Sequence, residues 1–309
     1  MTETPSFAEL IDEVLNQDPA SKAAVVLYET EHTTVHKTSS REPYVIRVSS
    51  QDPEQASQQM EILRRIGDLE GRTTAILHRE TREIRGQVRS VSVMTYLSGR
   101  PLDHYPSAAE AQGIIEAIYA LHLRLRAISP WLAERGTPQL RDILKGLIAA
   151  SEPSPMKSRA MALMQDDRFS ALLETANPCP IYGDPWPSNF LIDDETQPPC
   201  VRIVDIDPVF FGPPILQPAV LFSACFVASS LLYPTGGSSS PDLDALIAAW
   251  PEPLDRQDIL RMMRVFPILL SLFKAAGSAR TPDENPQLLR ANLNLLERCL
   301  AVIDAYADA

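Results

Sequence analysis

Between Ile181 and Pro214 the chain runs Ile-Tyr-Gly-Asp-Pro-Trp-Pro-Ser-Asn-Phe-Leu-Ile-Asp-Asp-Glu, crosses a polar turn, and resumes as Val-Arg-Ile-Val-Asp-Ile-Asp-Pro. Two short apolar runs, Asn189–Ile192 and Val201–Val204, flank a turn rich in Asp, Gln and Pro, which is the pattern of a β-hairpin. The polar residues stand at the strand ends: Asp184 and Asn189 before the first, Asp205 and Asp207 at the end of the second. Pairing the strands brings those ends together, so that three or four oxygen-bearing groups converge. Such a cluster suits a hard divalent cation, and it suits a carboxylate that orients a hydroxyl for reaction. Taken singly, Asp184 and Asn189 read as turn caps and Asp205 as a strand end. Taken in this order around a hairpin, they read as a site.

Composition narrows the class of ligand. Over 309 residues, 40 acidic and 28 basic side chains leave a net charge of −12, which argues against nucleic acid as a partner. It fits a cationic ligand, with solubility as the other reading. The four cysteines, Cys179, Cys200, Cys225 and Cys299, form no Cys-x-x-Cys pair, so reduced, buried thiols are expected, with neither zinc nor a disulfide framework. The start, Met-Thr-Glu-Thr-Pro-Ser-Phe, has neither the basic residues nor the apolar core of a secretory signal. The most apolar run, 215–233, is interrupted by Gln217, Pro218 and serines and reads as a buried helix rather than a membrane span. A cytoplasmic protein without membrane association, monomeric or homodimeric, is expected.

Along the chain, 6–16 places Phe7, Leu10, Ile11, Val14 and Leu15 on one helical face, with Ser6 as its cap. Ala23–Tyr28, Thr33–Thr38 and Tyr44–Val48 read as an antiparallel meander. Residues 53–66 form an amphipathic helix with Pro53 in its first turn. Two more strands follow, 73–79 and 83–85 with 87–94. From Ser107 the pattern is helical: Ala108–Ile128, 138–150, 157–176, and, beyond the hairpin, 219–233, 242–250, 255–274 and 286–306, with a flexible Gly236–Ser240 loop. His122 reads as a packed structural histidine.

The segment Tyr-Gly-Asp-Pro-Trp-Pro-Ser-Asn-Phe-Leu-Ile-Asp, followed by Ile-Val-Asp-Ile-Asp, resembles the aminoglycoside phosphotransferase/choline kinase family. That family shows His-Gly-Asp-x-x-x-x-Asn-x-Leu-x-Asp and then Ile-Asp-[Phe/Trp]-[Asp/Glu], the order of a kinase catalytic loop and its downstream metal Asp. Tyr182 departs from the family's His, a structural position. Ser-Val-Met-Thr-Tyr-Leu-Ser-Gly-Arg-Pro-Leu resembles the family's hinge. The Asp that closes the family's Gly-Asp-Pro-x-x-Asp-Leu-Ala segment stands here as Gln217.

The resemblance, which runs from about residue 20 to about residue 220, implies an α+β, two-lobed protein-kinase-like fold. A small β-rich N-terminal lobe with one main helix, 1–96, would bind nucleotide, and a large helical lobe, 97–309, would carry the catalytic loop and acceptor pocket. It also implies an ATP- or GTP-dependent phosphotransferase that moves the γ-phosphate to a hydroxyl of an antibiotic such as an aminoglycoside, or of a related metabolite. In that reading Asp184 is the catalytic carboxylate, and Asn189, Asp205 and Asp207 hold Mg²⁺. Arg47 steadies the non-transferred phosphates, and Met94, Thr95 and Tyr96 face the adenine. The partners are a nucleoside triphosphate and a small hydroxylated acceptor, which the acidic charge allows to be cationic.

Three features favour the alternative, a weak or inactive kinase-fold binding protein. The phosphate turn Tyr-Glu-Thr-Glu-His-Thr-Thr has no glycine, Gln59 stands where the family has a Glu (Glu61 lies two residues on), and Tyr182 replaces His. The intact Asp184, Asn189 and Asp205 argue for the enzyme. A metal-dependent hydrolase would want a His cluster, which the sequence lacks.

Overall fold

The structure, a computed structural model, describes residues 24–29, 33–38, 43–49, 53–84, 87–102, 106–174, 177–196, 199–232, 242–278 and 286–308. The expected helix 6–16 with its Ser6 cap, the middle of the phosphate turn and the Gly236–Ser240 loop lie outside these residues. The chain divides into two units: residues up to Gly99 with Arg202–Val204, and Arg100–Val201 with the remainder from Asp205.

The first unit is built on a five-stranded sheet. β1 (Ala24–Glu29), β2 (Thr33–Thr38), β3 (Tyr44–Ser49), β4 (Ile76–Ile84) and β5 (Gln87–Thr95) stand in the order β1-β2-β3-β5-β4. All neighbours are antiparallel, and the first three strands form the expected meander. β4 runs on to Ile84, so Glu83 and Ile84, expected to open the second strand, end the first, and β5 begins at Gln87; a bulge lies between Ile76 and His78 at the start of β4. α1 (Pro53–Ile66) starts on a proline whose missing N–H would have no partner there anyway. It packs on β4 and β5 through Met60, Leu63 and Ile66, all buried at helical spacing. Arg202–Val204 belong here because Ile203 N donates to Arg72 O at 2.7 Å and Arg202 Nη1 to Ser98 O at 2.5 Å.

In the second unit, β6 (Arg100–Pro101) leads to α2 (Ala108–Ala127), whose Ser107 and Glu110 form a reciprocal capping box. A short α3 (Ser129–Glu134) follows, unforeseen in the sequence because it continues the apolar pattern of α2 past one non-helical residue, Ile128. Next come α4 (Leu140–Ala150), α5 (Pro155–Gln165) and α6 (Asp167–Leu173). The single helix expected over 157–176 is thus two: Asp166 leaves the helical conformation and its carboxylate caps Phe169 N. β7 (Cys179–Tyr182) then pairs with β10 (Val209–Gly212), and β8 (Phe190–Asp193) lies between β6 and β9 (Cys200–Ile203). The first hairpin strand begins at Phe190 rather than Asn189, because Pro187–Asn189 winds into a 3₁₀ turn.

Among the described residues the chain closes with α7 (Leu216–Leu232), α8 (Leu243–Ala249), α9 (Arg256–Met263), α10 (Val265–Ser278) and α11 (Pro286–Asp308). The helix expected over 255–274 breaks at Arg264, whose side chain turns to Asp304 of α11 at 2.8 Å. α7 is the buried helix read from the apolar run: Leu216, Ala219, Val220, Phe222 and Val227 are all within 1% of full burial. Among the described residues no helix is long and apolar enough to cross a membrane.

Candidate active site

The site is assembled by a ladder that the sequence did not announce. β7 and β10 pair antiparallel with Tyr182 opposite Val209. Gly183 N extends the ladder by donating to Pro208 O at 2.8 Å, so Asp184 and Asp207 leave it on facing strands. A Cβ on Gly183 would stand 2.6 Å from Phe210 Cε1 and 3.2 Å from Pro208 O, so the close pairing itself requires glycine. The β8–β9 hairpin forms as expected, but this second pairing sets Asp184 against Asp207. Cys-Pro-Ile-Tyr and Val-Phe-Phe-Gly are too short, and too marked by Pro and Gly, to read as strands.

The loop after β7 is held by its own polar groups. Asn189 Nδ2 donates to Asp184 Oδ2 at 3.0 Å and to Asp184 O at 2.9 Å. The Tyr182 hydroxyl, fully buried, donates to the same Asp184 carbonyl and lies 3.4 Å from Asn189 Nδ2. Tyr182 is therefore a brace of the loop. Burial, reinforced by the charges of Asp184 and Asp205, keeps its phenol protonated far above the usual range. Beneath it Gln217, at the start of α7 and wholly buried, grips the Tyr182 main chain from both sides. Its Oε1 accepts from Tyr182 N at 2.8 Å and its Nε2 donates to Tyr182 O at 3.3 Å. An amide can make this pair of bonds, whereas a carboxylate could only accept.

Asp184 is partly buried, and burial raises its carboxyl above the ordinary range; the Asp205 charge adds to the rise and the Asn189 amide opposes it. Asp205 is tied to its own loop, its Oδ1 accepting from Asp207 N at 3.3 Å. Asp184, Asn189, Asp205 and Asp207 thus occupy one neighbourhood. Their donors are carboxylate and amide oxygens, the hard set that Mg²⁺ takes. Among the described residues no three His, Cys, Asp or Glu side chains form a ready-made cation cage.

The other expected binding residues lie in the first unit. Arg47 sits mid-strand in β3 between Val35 and Ser92 and is partly exposed. Glu61 is occupied elsewhere: Arg64 and Arg65 bind its carboxylate at 2.7 and 2.9 Å and hold its pKa at about 2. Gln59 is buried. Met94 is buried within the sheet between Val45 and Ile76, while Thr95 exchanges bonds with Ala75, N to O at 2.9 Å and Oγ1 from N at 2.8 Å. Tyr96 is partly exposed, with Lys37 Nζ 3.9 Å above its ring.

A cavity of about 260 Å³ opens beside Asp184, lined by Trp186 and by residues of α7, α10 and α11. Gln217 stands where the family has its anchoring Asp, whereas the pocket residues of α7, α10 and α11 carry no local sequence signal; they are distant in the chain and meet only in the fold.

The profile of one family, described as the phosphotransferase enzyme family, matches residues 27–246. The chain belongs to this family. No curated protein matches the sequence. Among solved structures, a GDP complex of a wild-type aminoglycoside 2'-phosphotransferase superposes with a TM-score of 0.70 at 16% identity, covering 96% of this chain and 99% of that one. A microcompartment-associated aminopropanol kinase gives 0.63 at 13%, covering 97% of each chain. A choline kinase from Streptococcus pneumoniae gives 0.60 at 14%, covering 95% of this chain and 98% of the other. With a small sheet-bearing N-terminal region and a larger helical region, the family member described here has the α+β, protein-kinase-like fold of these neighbours.

Proposed function

We propose that the protein transfers the γ-phosphoryl group of ATP or GTP to a hydroxyl of a small molecule. The observation that carries this reading is the setting of Asp184: a partly buried carboxylate, pinned by Asn189, opposite Asp207 and opening onto a cavity. Phosphoryl transfer asks for positioning and charge neutralisation rather than covalent chemistry; this arrangement offers the positioning, and a cation held by its oxygens would supply the neutralisation. Asp184 orients the acceptor hydroxyl and receives its proton. Asn189, through Oδ1, and the carboxylates of Asp205 and Asp207 would hold Mg²⁺, which when bound neutralises charge on the nucleotide phosphates. Arg47 is assigned to the non-transferred phosphates, and Met94, Thr95 and Tyr96 to the base. Complexes of relatives with GDP are consistent with a nucleotide co-substrate.

Asp184→Asn keeps the shape of the loop and removes the proton acceptor. Its turnover is expected to fall about 10³-fold with the circular-dichroism melting point held or raised. Wild-type turnover in this variant would sink the assignment of Asp184. A melting point of the wild type that does not move with Mg²⁺ and ATP would favour the non-catalytic binding protein instead.

A further inference from the structure

Between α1 and β4 the chain makes a turn that its residues do not favour. Of the five residues 67–71, four have positive φ: Gly67 at 71°, Leu69 at 47°, Glu70 at 60° and Gly71 at 83°. Glycine adopts such a backbone freely, but leucine and glutamate hold it only where their surroundings enforce it. Leu69 is buried, and a set of short-range bonds closes the turn around it. Thr73 N donates to Asp68 O at 2.9 Å, Thr73 Oγ1 to Gly67 O at 2.7 Å, and Arg72 N to Leu69 O at 3.2 Å. Thr73 is itself buried at 1% exposure. The turn ends against β9. Arg72 O, which it presents, accepts from Ile203 N at 2.7 Å, and Thr73 forms a single parallel bridge with Ile203. The residue before, Arg202, donates from Nη1 to both Ser98 O and Ser98 Oγ at 2.5 Å. The last two residues of β9 are thus fixed, one through its main chain and one through its side chain.

Building on the phosphotransferase reading, we propose that the turn 67–73, with Thr73 as its key, is a positioning element for Asp205. Val204 alone separates Ile203 from Asp205, and two residues span at most about 7 Å, so where β9 is stopped sets where that carboxylate can stand. A group that is to share a cation with Asn189 and Asp207 must be placed to a fraction of an ångström, and the residues behind a ligand do that placing. The turn does it through Arg72 O, whose own place is fixed by the two bonds that Thr73 makes back to residues 67 and 68. The Arg202 grip on Ser98 holds the same strand end from its side chain. Thr73 touches neither substrate nor cation in this role; it acts through Ile203. The backbone cost carried by Leu69 and Glu70 is then the cost of presenting one carbonyl to one amide.

The test uses the full chain with no acceptor present. Hydrogen–deuterium exchange of the peptide 200–207 reads the hold on β9, and the Mg²⁺ concentration that gives half of the ATP-induced melting shift reads the placing of Asp205. Thr73→Val keeps the volume and loses the hydroxyl, whereas Thr73→Ser keeps the hydroxyl. Thr73→Val is expected to speed exchange in 200–207 about tenfold with the β7 peptide 179–183 unchanged, and to raise the half-shift Mg²⁺ concentration about tenfold. Thr73→Ser is expected to return both readings to within about threefold of the wild type. Ser98→Ala, at an exposed position that does not endanger folding, is expected to move both readings the same way by about threefold. Unchanged exchange in 200–207, or faster exchange there with an unmoved Mg²⁺ concentration, overturns the positioning role. Faster exchange throughout the chain of Thr73→Val marks general destabilisation, and Ser98→Ala then decides on the same two readings. A wild type whose melting point does not move with Mg²⁺ and ATP removes the phosphotransferase reading instead, and exchange in 200–207 then decides the hold on its own.

Discussion

Gln217 shows how much the loop that bears Asp184 depends on a residue that holds only the strand before it. Gln217→Leu strands the N–H and C=O of Tyr182 without partners in a buried site, which should cost about 2–5 kcal/mol in urea unfolding, with kcat falling alongside. Tyr182→Phe removes the hydroxyl's bond to the Asp184 carbonyl but fills the same space, so a loss nearer about 1–2 kcal/mol is expected by the same measurement. His122 makes a different prediction. It is buried at 1% exposure, and neither ring nitrogen has a hydrogen-bond partner among the described residues. Burial, with the Arg126 charge adding to it, pushes its pKa from 6.5 down to about 4. The folded state therefore resists protonation: this contribution to stability is complete above about pH 6.5 and lost as pH falls to about 4, on the order of 3 kcal/mol in all. His122→Met should flatten the acid limb of the stability curve across that window, as read by urea unfolding at successive pH values. The sequence marks Asp184, Asn189 and Asp205 because their spacing is local. It marks Gln217 only through the family's anchor position, and it is silent on Lys274 and Asn292, which reach the cavity through contacts between distant segments.

At the level of elements, what the sequence reveals follows from how each element declares itself. α1 is legible because Met60, Leu63 and Ile66 repeat at helical spacing behind a proline start. The breaks at Asp166 and Arg264 are not, because the apolar period runs on across both: Asp166 leaves the helical conformation for one residue, and Arg264 keeps it. Nor are β7 and β10, whose four residues each are all buried and show no alternation. Close approach between elements sets a further test. Gly113 of α2 lies against β9, where an added Cβ would stand 2.8 Å from Val201 Cγ2 and 3.2 Å from Pro199 O. Gly113→Ala should therefore destabilise the protein by about 1–3 kcal/mol in spite of alanine's higher helix propensity. A stabilised variant would show that the neighbouring strand yields freely.

Across the whole molecule, a net charge of −12 means that acidic side chains repel one another throughout the folded chain. Raising sodium chloride from about 20 mM to about 500 mM shortens the screening length several-fold and should raise the melting temperature; a flat or falling curve would place the charge in compensating pairs. One helix links two tasks of the second unit. α7 holds the Tyr182 peptide through Gln217 and lines the cavity through Val227, ten residues along the same rod and so about 15 Å away. Because that rod is buried along this length, a tilt at one end is felt at the other. One buried helix thus joins the wall of the cavity to the strand that leads into Asp184, so a substitution that shifts α7 should disturb both.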